Sequence, residues 1–333
     1  MRKMQKIFRG SPHYYERVHG TTLGQNQLDF LSINLPPVCN YRCEFCFSGM
    51  NGTQRTENSL SMEEIQQVIV QAASLDAFHI EISGEGEPLV YKNTVENIVD
   101  LADFLGIHTT IFTNGSLLTE QTARYLSGRN TSLAISLDYM DCTRYAQFTG
   151  RDLLATVIEN IETARDAYRN QIRHYNGYLV LPLAIHAIAT ADNTEDIPRI
   201  RQFAGDDVFF SAAPMINRGN ARNSSVTSAF LAEESDGTLI NSDSSVHDIG
   251  RPVCGTFYYG IGVRHDGEVL FDAHAYDTAG LFGNIRSAPL QDLLGKVRNA
   301  QRTYFDRFDD GGFCPLRNPR FDEFVEYLRQ SRG

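Results

Sequence analysis

The chain has 333 residues, with 30 Lys and Arg against 41 Asp and Glu for a net charge of −11; hydrophobic residues make up 42% and charged residues 21%. That balance fits a globular chain with room for one large and one smaller domain, and it excludes collagen-like, disordered and disulfide-scaffold classes. No apolar run approaches the ~18–20 residues of a bilayer span, the opening MRKMQKIFRG is followed by no apolar signal region, and the acidic total argues against nucleic acid as the main partner.

A cytoplasmic protein without a membrane partner is therefore expected. In that compartment thiols stay reduced, so clustered cysteines among the six point to metal or catalysis. Residues 1–27 are polar and weakly patterned, an N-terminal extension. Leu28 to Leu35 reads as a strand that Pro36-Pro37 stops. Ser61 and Glu64 form a capping box for a helix to Leu75, with Ile65, Val68, Ile69, Ala72 and Ala73 on one face. Strands are then expected at Ala77–Ser83, His108–Thr113, Thr131–Leu137, Leu179–Ala189 and Val208–Ser211. Helices are expected between them at Asn93–Leu105, Thr119–Leu126, Leu153–Ala167 and Thr194–Phe203. Six strands alternating with helices imply an α/β fold, a partial (βα)6 TIM-like barrel over residues 28–218 with its functional loops at the C-terminal strand ends.

Residues 219–250 are rich in Ser, Asn and Asp and read as a linker or lid. From 251 to 333 a small α+β module is expected. Phe257–Val263 and Val269–Phe271 flank the hairpin signal His265-Asp266-Gly267, and helices follow near Leu290–Arg302 and Phe321–Arg329.

The densest signal is Cys39-x3-Cys43-x2-Cys46, directly after the first strand. Three thiolates this close can hold three irons of a 4Fe–4S cluster, which leaves the fourth iron open, the mark of a chemical site. The competing readings are a zinc site or chance. Structural zinc needs four ligands, and the next His and Cys are distant, at His79 and Cys142.

The run Cys39-Asn-Tyr-Arg-Cys43-Glu-Phe-Cys46, with aromatic Phe45 before the last cysteine, resembles the radical S-adenosylmethionine (SAM) superfamily. The resemblance continues through Ser83-Gly84-Glu85-Gly86-Glu87-Pro88 after the second strand, Thr113-Asn114-Gly115 after the third and Ser136-Leu-Asp138 after the fourth. Taken alone, these are also ordinary turn and cap residues. The resemblance implies that Cys39, Cys43 and Cys46 bind a 4Fe–4S cluster whose open iron takes SAM. One electron, from a donor such as flavodoxin or ferredoxin, then releases a 5′-deoxyadenosyl radical that abstracts a substrate hydrogen. It further implies SAM contacts at Phe45, Gly86, Glu87, Asn114, Ser136 and Asp138, with the Glu87 carboxylate on the SAM amine.

Cys254-Gly255, the hairpin and Cys314 resemble the SPASM and twitch branch, whose twitch members hold an auxiliary cluster through four cysteines. Here the second position reads Phe271-Asp272-Ala-His274 and the fourth is Arg317, so two thiolates are missing. A second iron–sulfur cluster would need Asp272 or His274 beside Cys254 and Cys314; otherwise these cysteines are core thiols. Lacking a secure electron acceptor, the expected outcome is redox-neutral: epimerisation, elimination or decarboxylation of a small polar metabolite related to sugars, aminocyclitols or nucleosides. Cys254 is the candidate hydrogen-atom donor, and Cys142 a weaker one. The alternatives are a twitch-type alcohol dehydrogenase, a peptide maturase and an iron–sulfur sensor.

Overall fold

A computed structural model describes residues 28–48, 58–175, 178–227, 260–310 and 314–331. Within them the chain alternates strand and helix as its periodicity requires. β1 (Phe30–Leu35), β2 (His79–Gly84), β3 (His108–Thr113) and β4 (Thr131–Ser136) come first. α1 (Met62–Ser74), α2 (Lys92–Phe104) and α3 (Glu120–Ser127) lie between them. α4 (Cys142–Thr149) and α5 (Leu154–Arg169) follow, then a hairpin of β5 (Arg173–Tyr175) and β6 (Tyr178–Val180). β7 (Leu183–Ala189), α6 (Asp196–Ala204) and β8 (Phe209–Pro214) end the alternation. The C-terminal part supplies β9 (Gly260–Val263), β10 (Val269–Leu270), α7 (Leu290–Arg307) and α8 (Phe321–Gln330).

One eight-stranded sheet runs β10-β9-β1-β2-β3-β4-β7-β8, with every neighbour parallel except β9 and β10. The fold is thus the α/β partial TIM-like barrel that the alternation implies. Its strands separate two kinds of residue. Leu31, Ile33, Ile80, Ile82, Ile111, Leu133, Ile135 and Ile185 are buried in the core shared with the helices. The alternate residues, pointing to the other face, include Ser32, Glu81, Thr110 and Ser132, aligned in one row by register. This inner face is mixed: its polar groups are bonded across strands, and Phe112, Ala134, Ala184 and Phe209 make a small apolar cluster beside them. Ser32 and Ser83 hydroxyls lie 3.1 Å apart, Thr110 and Ser132 2.8 Å apart, and Thr110 Oγ1 is 3.0 Å from His79 Nε2.

The Ser61–Glu64 capping box is present on α1. Three expectations change. The single strand expected over Leu179–Ala189 divides, because Pro182 donates no N–H to a ladder; β7 starts after it and the preceding residues form the β5–β6 hairpin. α4 has only eight residues, too few to show a clear helical period, and it begins where the Asp141 carboxylate accepts from Arg144 N–H. The third change is in topology: β9 lies beside β1, so the C-terminal module extends the barrel sheet. The hairpin at His265-Asp266-Gly267 forms with Gly267 at φ +88°, a backbone state suited to glycine. The expected extension at 1–27 and most of the expected lid, from 228 onward, lie outside the described residues.

Arg218, just beyond β8, ties the two parts together. Its buried guanidinium pairs with Asp277 and with Asp322 at 2.8 Å, and stands 4.8 Å from the Phe321 ring centroid. Both acids are partly exposed, so they regain water when the arginine is removed. Arg218→Ala should therefore cost about 1–3 kcal/mol, mostly as lost packing and pairing, read as a lower urea midpoint at unchanged m-value.

Candidate active site

Cys39, Cys43 and Cys46 occupy an irregular loop at the C-terminal end of β1, and other elements must pair its backbone. α4 does much of this. Arg42 N–H donates to the Thr149 carbonyl at 2.9 Å and Glu44 N–H to the Phe148 carbonyl at 3.1 Å. Tyr41 and Tyr145 hydroxyls meet at 2.9 Å, and Phe45 lies on Phe148 with ring centroids 4.0 Å apart. On the far side Asn220 N–H donates to the Cys46 carbonyl at 2.9 Å, placing the start of the expected lid against the loop.

The three cysteines are free thiols, and Tyr41 N–H points at the Cys39 sulfur at 3.4 Å. Burial pushes Cys39 up to about 11 and Cys43 well above the usual thiol range, and the neighbouring thiols add to both shifts. Three thiolates here need cationic partners, which iron supplies. Among the described residues, no three Cys, His, Asp or Glu side chains converge as a single metal ion requires. A four-iron cluster makes a different demand, since each thiolate binds its own iron. The donor set suits such a cluster.

The loop after β2 packs on the cysteine loop backbone to backbone. A Cβ on Gly86 would come within 2.4 Å of the Val38 carbonyl oxygen, so glycine is required for this approach. Glu87 N–H donates to that same carbonyl at 2.9 Å. The Glu87 carboxylate is buried and takes three protein donors: Leu89 N–H at 3.0 Å, Thr113 Oγ1 at 2.7 Å and Asn114 N–H at 2.7 Å. It clamps the second loop to the third, while burial raises its pKa above the usual carboxylate value. Asn114 then reaches back, donating to Asn40 Oδ1 at 2.9 Å, and Asn40 donates to Ser116 Oγ at 2.8 Å.

Asp138, after β4, is buried. Its carboxylate accepts from Ile188 N–H at 2.7 Å, and burial pushes its pKa up to about 7. Its charge acts on Cys43. Ser136 is exposed at the inner end of β4, in register with His186, whose Nδ1 bonds the Ser211 hydroxyl. Cys39, Cys43, Cys46, Gly86, Glu87 and Asn114 thus form one connected group, with Asp138 coupled to it electrostatically. Asn40, α4 and the Arg264–Glu85 ion pair (3.0 Å) carry no sequence signal, because their partners are distant in the chain.

In the C-terminal part, Cys314 is half-buried and desolvation raises its pKa; the neighbouring Arg317 opposes the shift and Asp272 adds to it. The Asp272 carboxylate accepts from His274 N–H at 2.8 Å, and Arg317 Nε donates to the Pro214 carbonyl at 3.0 Å. Cys254 lies outside the described residues. Cys142 is exposed in the first turn of α4.

Residues 33–188, just under half of the chain, match the Radical SAM superfamily. Over that stretch the chain has a radical SAM domain. Among curated relatives, GTP 3′,8-cyclase of Ectopseudomonas mendocina is 33% identical over 148 residues, covering 44% of each chain. A GTP 3′,8-cyclase 2 of Pseudomonas aeruginosa is 31% identical over 148 residues, with the same coverage. The chain therefore spans less than half the length of these relatives. Among solved structures, Streptococcus suis SuiB bound to precursor peptide SuiA superposes with a TM-score of 0.60 at 18% identity, covering 82% of this chain and 67% of SuiB. AdoMet-bound anSMEcpe gives a TM-score of 0.56 at 14% identity, covering 91% of this chain and 97% of that one. A radical SAM domain implies a 4Fe–4S cluster and SAM as its cofactors. No helix among the described residues is long and apolar enough to cross a membrane.

The clamp at Glu87 changes what its removal should do. Glu87→Ala strands three buried donors, so it should cost about 3 kcal/mol or more in unfolding free energy and lower cluster content as well as SAM affinity. Thermal unfolding and iron analysis of the same samples check this; loss of SAM affinity alone would assign the carboxylate to the ligand only.

Proposed function

We propose that Cys39, Cys43 and Cys46 hold the catalytic cluster and that SAM lies across the loops carrying Gly86, Glu87, Asn114, Ser136 and Asp138. The substrate is a small polar metabolite, related to sugars, aminocyclitols or nucleosides, taken into the barrel beneath them. The observation that carries this reading is the placement of the cysteine loop at the end of a barrel whose inner face holds a row of polar side chains beside a small apolar cluster of Phe112, Ala134, Ala184 and Phe209. Ser32, Asn34, Ser83, Thr110 and Ser132 are buried there, with His186 and Ser211 toward the open end. TIM-like barrels ordinarily fill this space with branched apolar side chains. Hydroxyl, amide and imidazole groups suit hydrogen bonding to a polar ligand.

When bound, the cluster and SAM supply a radical able to abstract hydrogen from an unactivated carbon. The chain's own residues do the rest. The loops after β1 to β4 hold the cofactors in one orientation over the inner face, and Phe45 and Phe148 cover the cysteine loop with apolar surface that keeps water away. An electron arrives from a small protein donor such as flavodoxin or ferredoxin. A redox-neutral end to the reaction, epimerisation or loss of a neighbouring group, is supported by the C-terminal part. At the fourth ligand position stands Arg317, whose guanidinium has no lone pair to offer a metal and donates to the Pro214 carbonyl. Cys254 remains our candidate for the hydrogen-atom donor.

Two measurements check this. Anaerobically reconstituted protein should cleave SAM under a strong reductant, and the variant with Cys39, Cys43 and Cys46 all changed to Ala should not; residual 5′-deoxyadenosine from that variant would overturn the cluster assignment. With candidate metabolites in deuterated water, one deuterium gained at carbon reports epimerisation and loss of a larger fragment reports lyase chemistry. Loss of two mass units would instead establish a dehydrogenase.

A further inference from the structure

We propose that Ser48 is a positioning residue whose single hydroxyl proton is shared between the sulfur of Cys46 and the backbone carbonyl of Glu85, linking the cluster to the loop after β2. Ser48 Oγ lies 3.1 Å from Cys46 Sγ and 3.1 Å from the Glu85 carbonyl oxygen. A hydroxyl has one proton to donate. In the free thiol, Cys46 donates to Ser48 and Ser48 donates to Glu85, so a single chain satisfies all three groups. A sulfur bonded to iron has no proton and only accepts. The Ser48 proton then has two acceptors and one of them must yield.

Which one yields depends on the charge on sulfur. An electron added to the cluster raises the negative charge on its sulfurs and strengthens the bond from Ser48, since hydrogen bonds to charged acceptors exceed those to neutral ones. Hydrogen bonds to sulfur are a recognised control on the potential of such clusters. The hydroxyl therefore favours the reduced state, and as it turns it releases the Glu85 carbonyl. The rest of Glu85 is fixed, because its buried carboxylate pairs with Arg264 at 3.0 Å and the next residue, Gly86, is wedged against Val38. The carbonyl stays in place, freed for another donor, in the loop we assign to SAM.

This inference rests on the assignment of Cys46 to the cluster, and the experiment separates the two. Wild type, Ser48→Ala and Ser48→Thr are reconstituted anaerobically, and iron content and the EPR signal of the reduced cluster are recorded. Wild type without a four-iron signal overturns both readings. With full loading, Ser48→Ala should show a reduced-to-oxidised ratio about five-fold lower at a fixed solution potential, the equivalent of one ordinary hydrogen bond. It should also lose an exchangeable-deuteron coupling seen by ENDOR in deuterated water, and Ser48→Thr should restore both. A fully loaded Ser48→Ala with unchanged redox titration and coupling overturns the proposal while leaving the cluster assignment intact. Should Ser48→Ala load poorly, the wild-type reduced cluster decides alone: absence of any exchangeable-deuteron coupling beyond that of the Tyr41 N–H on Cys39 overturns the proposal.

Discussion

The loop from Pro36 to Ser48 has no secondary structure of its own, and its backbone polar groups are far too costly to leave unpaired where the chain buries them. Each partner it borrows fixes a piece of the surrounding fold. α4 presents two carbonyls from its last turn, the loop after β2 presents Glu87 N–H, and the turn after β8 presents Asn220 N–H. Remove that requirement and there is little reason for Gly86 to sit where no side chain fits, or for the Glu87 carboxylate to be buried with three donors around it. The geometry of the three thiols follows from how their peptide backbone is satisfied. It comes from neighbours and needs little from the cysteines themselves.

A second constraint acts below the loop. The inner face of the barrel carries buried hydroxyls, imidazoles and a carboxylate, groups tolerated away from water only when they are bonded. Pairs such as Ser32 with Ser83 and Thr110 with Ser132 meet this locally, between adjacent strands in register. The helices stay on the outer face, and the inner face pairs its polar groups beside the apolar cluster of Phe112, Ala134, Ala184 and Phe209. Fold and chemistry divide along the two sides of each strand.

Much of this was legible in the sequence where the physics is local. The alternation of β1 and the Ser61–Glu64 box on α1 are set by residues within a few positions of one another, and the structure reproduces both. The three cysteines and the Gly86-Glu87 turn stood out for the same reason. What stayed hidden depends on distant partners. Glu87 alone suggests a carboxylate offered to a ligand; its bonds to Thr113 and Asn114 arise only once β2 and β3 lie side by side. α4 has too few turns to show a period, and its importance comes from the cysteine loop resting on its end. No composition signal tells that Gly260–Val263 will pair with β1.

That last pairing has a consequence for how the protein is made. β1 lies between β2 and β9, and its register sets Phe30 beside Gly260. A nascent chain emerges from the N-terminal end, so β1 waits with one edge open while most of the chain is still being synthesised. Closing a loop of this length is slow relative to local helix formation, and an open strand edge invites wrong partners. The cysteine loop hangs from that same strand. The chain thus passes through a stage at which the cysteines have been made and the strand that flanks them has not, an interval open both to iron delivery and to misassembly.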